Sequence, residues 1–246
     1  LIVLVCTFGG AMFGVFLRSA LPAHLTSDAS KDVVRLVTGL IATLAALVLG
    51  LLVASSKNSF DTVNEGFRES GARIILLDRA LAQYGPETKE LRELVKAGFA
   101  MRVEQYFSKG QSGNSALHSP QATATVEGLQ QKLRALSPQN DTQRALQSRA
   151  LELTDAVTQA RWLGIAHEDN SIPTPFMVVL VFWLAVMFTS FGLFAPRNAI
   201  AITVLFLGAV SLAGAIFLIE ELNNPLEGVI SISRAPMDRA LGFLGR

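Results

Sequence analysis

LVTGLIATLAALVLGLLVASS, residues Leu36–Ser56, decides the fold: it carries no charge from end to end. A helix of about 20 residues crosses the ~30 Å hydrocarbon core of a bilayer, so this run is long enough to span one. Working outward, Leu1–Leu17, Ser171–Pro196 and Asn198–Ile219 also lack any charged residue. The four runs stand two and two around a polar block. That block, Lys57–Asn170, holds 14 basic and 14 acidic residues, so its charges cancel. The pattern predicts an all-α, polytopic membrane protein with four transmembrane helices and a soluble helical bundle between helices two and three. The expected segments are a hairpin over 1–56, the bundle over 57–170, a second hairpin over 171–221 and an amphipathic C-terminal tail over 222–246.

Leu1–Leu17 begins without a Met, so a few residues are expected ahead of it. It reads as a membrane helix rather than a trimmed signal peptide, because Gly10 and Gly14 form a GxxxG pair suited to helix packing. Span two has no Gly or Pro stop. Instead Phe60, Val63, Phe67, Ser70, Ile74, Leu77, Leu81 and Tyr84 continue it with alternating spacings of three and four, an a/d seam with one polar position. One unbroken helix is therefore expected to leave the membrane as a stalk and to stop at Gly85-Pro86. The seam residues Phe60, Val63, Phe67, Ile74, Leu77 and Leu81 are candidates for the stalk or for contact between copies. Further helices are expected to about Lys109, over Ala122–Leu136 and over Asp141–Ala166, with Gly110–Pro120 as a loop. The inner face of the first of these is read as Leu91, Leu94, Val95, Gly98, Phe99, Met101 and Tyr106. Met237–Leu244 is expected to lie on the membrane surface.

An even number of crossings puts the bundle, the tail and the N-terminus on one side. Near the span ends that side offers Lys57, Arg68, Arg73, Arg161, Arg234 and Arg239, against Arg18, Lys31, Arg35 and Arg197 on the other. This bias favours a cytoplasmic bundle.

Three blocks carry a resemblance. They are Thr38-Gly39-Leu40-Ile41-Ala42-Thr43-Leu44-Ala45-Ala46-Leu47-Val48-Leu49-Gly50-Leu51-Leu52, then Leu77-Asp78-Arg79-Ala80-Leu81-Ala82-Gln83-Tyr84-Gly85-Pro86-Glu87, and finally Phe191–Asn198 with Glu221–Gly228. Together they resemble the bacterial membrane proteins labelled bestrophin-like, over nearly the whole chain. The resemblance implies a protein of the bacterial inner membrane. The label points to bestrophins, pentameric anion channels with an aromatic-lined neck; span two here contains no aromatic residue.

Chemistry-bearing motifs are few. His24, His118 and His167 are far apart, and none has an i,i+4 partner suited to zinc. Cys6, the single cysteine, reads as a small hydrophobe within span one. Neither a nucleophile elbow nor a phosphate loop occurs, and no catalytic residue, metal site or cofactor is expected. The net charge of +1 points to no nucleic-acid partner. The membrane runs hold the candidates instead. Gly39, Thr43, Ala46 and Gly50 share one face of span two, and Ala42, Ala46, Gly50 and Ala54 form a second small stripe. Thr203, Gly208, Ser211 and Ala215 lie along span four. Such residues permit close helix packing in lipid, or line a pore. Glu220 and Glu221 end span four, where the helix dipole disfavours acids. A ring of carboxylates at a pore mouth, an ion pair to Arg234 or Lys57, or plain exposure would each compensate.

These readings predict a homo-oligomeric ion channel, passive and cation-permeable, with the bundle as vestibule or gate. Its candidate pore-lining or ion-binding residues are Glu220, Glu221, Gly39, Thr43, Gly50, Thr203 and Ser211, and its partners are lipid, further copies of itself and a permeant inorganic ion. The alternative is a membrane-anchored interaction or sensory module that transports nothing.

Overall fold

The computed structural model describes residues 1–20, 28–107, 120–168, 174–225 and 228–245, though not the side chains of 28–30, 120–125, 161–168 and 174. Eight α-helices occur among them: α1 Ile2–Ala20, α2 Asp28–Tyr84, α3 Lys89–Phe107, α4 Pro120–Arg134, α5 Asp141–Glu168, α6 Thr174–Phe194, α7 Ala199–Asn223 and α8 Ala235–Phe243. Four of them (α1, α2, α6 and α7) are long and apolar enough to cross a membrane. The expected Gly110–Pro120 loop lies outside the described residues except for Pro120, which starts α4, and His24 and His118 lie outside them too.

The chain forms two units, Leu1–Ser59 with Ile172–Asn223, and Phe60–Ser171 with Asn224–Arg246. In the first, α1 and α6 run parallel with their backbones in close approach. A Cβ placed on Gly14 would strike the Thr189 carbonyl oxygen, and one on Gly192 the Ala11 carbonyl oxygen. The GxxxG pair thus serves packing, and Thr7 and Ala11 on the same face of α1 are fully buried. Phe8 of α1 meets Phe206 of α7 edge to face at 5.3 Å. Ala45 and Leu52 of α2 pack among Leu180 and Leu184 of α6 and Ile216 and Ile219 of α7. The α6–α7 turn is short because Asn198 caps α7: the Ala201 N–H donates to its side-chain oxygen at 2.8 Å.

In the second unit, α2 ends at Gly85, whose φ of 150° is one that side chains resist. Thr88, fully buried, locks this turn by donating to the carbonyls of Leu81 at 2.5 Å and Gly85 at 2.8 Å. The core gathers Ile74, Leu77 and Leu81 of α2, Leu91, Val95, Phe99 and Val103 of α3, Leu133 of α4, and Ala150 and Leu153 of α5. Of the seam, Ile74, Leu77 and Leu81 are buried in the chain's own core. Two expectations are corrected here. On α3 the buried stripe steps by four from Leu91 to Val103, while Leu94 and Met101 are exposed. The tail does not present its apolar face to a membrane surface: Met237, Ala240 and Leu244 are buried in the same core.

Tyr84, buried at the end of α2, carries a flaw. Its hydroxyl is buried and, among the described residues, meets no hydrogen-bond partner. Burial, and then the nearby Glu87 carboxylate, push its pKa above the usual tyrosine value. A buried hydroxyl without a partner costs about 1–3 kcal/mol. Tyr84→Phe is therefore expected to raise the melting temperature, and a lower one would show that the hydroxyl is satisfied.

Candidate functional site

At roughly 100° per residue, the apolar half of α2 divides into three faces. Thr38, Ala45, Leu52 and Ser56 are buried against the chain's own helices. Leu36, Leu40, Leu44, Leu47 and Leu51 form a second face of exposed large side chains. The third holds Gly39, Thr43, Ala46 and Gly50, all exposed. A Cβ at Gly39 or at Gly50 would meet nothing within 4 Å. The Thr43 hydroxyl donates to the Gly39 carbonyl at 3.0 Å. This face is smooth, small and uncovered among the described residues. Of the second small stripe, Ala54 is exposed and Ala42 half-buried.

On α7, Thr203 and Ser211 are likewise exposed, and their hydroxyls donate back to Ala199 at 2.9 Å and Leu207 at 2.9 Å. Gly208 and Ala215 are half-buried. The helix continues past the acidic pair to Asn223, so Glu220 and Glu221 occupy its last turn, which holds no basic residue. Glu220 is exposed and Glu221 half-buried. Arg234 pairs with Glu104 at 3.0 Å and Asp238 at 3.0 Å. Those hydrogen bonds raise its pKa. Of the remaining seam residues, Phe60, Val63 and Phe67 are half-buried, and Phe67 stacks edge to face on Tyr106 at 5.2 Å.

One buried polar cluster stands in the second unit. Asp78, fully buried, accepts two hydrogen bonds from Arg92, from Nε and Nη2, each at 2.9 Å. It also accepts the Gly245 N–H at 3.3 Å, at a glycine whose φ is 80°. The Asp78 hydrogen bonds hold the Arg92 guanidinium above its ordinary pKa, against the opposing effect of burial. The partner is fourteen positions away on α3, which helical spacing within α2 cannot reveal. Among the described residues, no group of His, Cys, Asp or Glu side chains is placed to hold a metal ion.

The family signature described as the bestrophin-like domain matches residues 5–237. The chain belongs to the bestrophin-like family. Two solved structures are similar in fold to this bestrophin-like protein, both variants of a bacterial bestrophin homolog from Klebsiella pneumoniae. One superposes with a TM-score of 0.71 at 12% identity, covering 98% of this chain and 96% of its own. The other gives a TM-score of 0.67 at 13% identity with the same coverages, 98% and 96%. A further similar structure, of a membrane protein, has a TM-score of 0.69 at 13% identity over 98% of this chain and 96% of its own. Comparison with curated proteins finds no match. This bestrophin-like chain is thus a helical membrane protein by family.

Proposed function

We propose that this bestrophin-like protein assembles with copies of itself into a passive ion channel of the bacterial inner membrane. The small face of α2 lines the axis, and 57–170 forms a cytoplasmic vestibule or gate; no covalent chemistry is involved. The observation that carries this reading is the three-way division of α2. One face is packed, a second suits lipid, and the third offers lipid little to grip, so another copy or water must meet it. The wider spread of basic residues on the bundle side supports the orientation. Carboxylates at Glu220 and Glu221 concentrate cations at the bundle-side mouth.

Purified protein in liposomes is expected to pass monovalent cations, and Glu220→Gln with Glu221→Gln to lower that flux severalfold. Flux no greater than in empty vesicles would sink the channel reading. One observation favours the second reading, an anchored interaction or sensory module. The hydroxyls of Thr43, Thr203 and Ser211 are each satisfied within their own helix and need no water. In that case copies pack through the small face with a dry axis, and the protein is stable but passes no ions.

A further inference from the structure

We infer that the recess between the N-terminal part of α2 and the C-terminal end of α6 binds an anionic phospholipid, taking one acyl chain inside and the phosphate at Arg35. The inference rests on reading these helices as membrane spans. The recess has a volume of about 200 Å3, walled by Val34, Thr38 and Ala42 of α2 and by Phe191 and Phe194 of α6, and it meets the edge of the small face only at Gly39. That is below the roughly 300–1,000 Å3 of pockets for compact small molecules. A length of hydrocarbon fits it better. Its polar groups are few. The Ser190 hydroxyl already donates to the Val186 carbonyl at 3.0 Å, so the floor asks for no polar ligand.

The charged group lining the recess is Arg35. Its side chain is 75% exposed, and it faces Asp32 at 3.6 Å, an equally open carboxylate. Such an exposed pair is weak and exchangeable. A phosphate offers the guanidinium a bidentate, charge-assisted partner instead. Two further arginines converge on the same end of α6. Arg18 donates to the carbonyl of Ala195, the residue after Phe194, and Arg197 donates to the Val15 carbonyl at 3.4 Å. An apolar slot with a cationic lip is complementary to a lipid that is apolar in its tail and anionic in its head. A second copy seated there would have to desolvate Arg35.

The test is native mass spectrometry of the full chain in detergent, with phosphatidylglycerol and phosphatidylcholine of matched tails. Phosphatidylglycerol is expected to be retained about tenfold better, the scale of one charge-assisted contact. Arg35→Gln should bring it down to the phosphatidylcholine level, while Arg35→Lys keeps part of the preference. Ser190→Leu, which fills the recess, should lower retention of both lipids. Circular dichroism melts confirm that each variant is folded. Equal retention of the two lipids, or an Arg35→Gln protein that binds phosphatidylglycerol as before, overturns the site. So does a Ser190→Leu protein that loses its oligomer while keeping its lipid. Ion flux on the same preparations separates the two readings. Lost lipid preference with flux intact sinks the lipid site alone, and retained preference without flux supports it while sinking the channel.

Discussion

Gly192→Leu is expected to separate α1 from α6. Added methylenes in a packed core cost roughly 1–3 kcal/mol when side chains can shift to receive them. Here the obstacle is the Ala11 backbone, which cannot swing away, so the cost falls at or above the top of that range. Gly9 supplies the control. It lies on the exposed side of α1, where a Cβ meets nothing within 4 Å, so Gly9→Leu should leave stability unchanged. Thermal unfolding in detergent compares the two. Equal melting temperatures would show that the α1–α6 approach does not hold the membrane helices together.

Arg92→Ala is the second large effect. It leaves the Asp78 carboxylate, with a side chain only 1% exposed, in an apolar core without its cation. Breaking a buried pair from one side costs about 3–5 kcal/mol. Asp78→Ala should cost less, because the Arg92 side chain is 19% exposed and can turn to water. The exposed Lys132–Glu90 pair, at 2.6 Å, offers the contrast. Its hydrogen bond lowers the Glu90 pKa, yet Lys132→Ala should shift the unfolding midpoint little. Denaturant titration followed by circular dichroism would rank the three. An Arg92→Ala protein as stable as Lys132→Ala would refute the buried-pair reading.

The membrane helices were legible because bilayer thickness imposes a length and an absence of charge that few other contexts demand. The three blocks carrying the resemblance likewise led to the family. Partners were harder to read. A heptad shows that a face is covered but not by what, and Ile74, Leu77 and Leu81 proved to be covered by α3, α5 and α8. The amphipathic tail posed the same ambiguity, since lipid and a protein core both accept Met237 and Leu244. On α3, Leu94 and Met101 are apolar but stand off the stripe that the four-residue step buries. Of the candidate site, sequence spacing placed Gly39, Thr43 and Gly50 on one face because helical geometry is local. What covers that face is not a local property of the helix, and a single chain's pattern does not encode it. Asp78 and Arg92 met through tertiary packing alone.

The place of α8 in the core bears on the order in which the protein can be made. Met237, Ala240 and Leu244 complete a core begun by Ile74 and Leu77, yet α6 and α7 lie between Leu153 and Met237 in the chain. The ribosome must therefore deliver both apolar helices before the last wall of that core exists. At roughly 5–20 residues per second, the unfinished cleft waits several seconds. During that time α6 and α7 have emerged and the cleft's apolar residues still lack their cover, so membrane insertion precedes the final closure of the bundle.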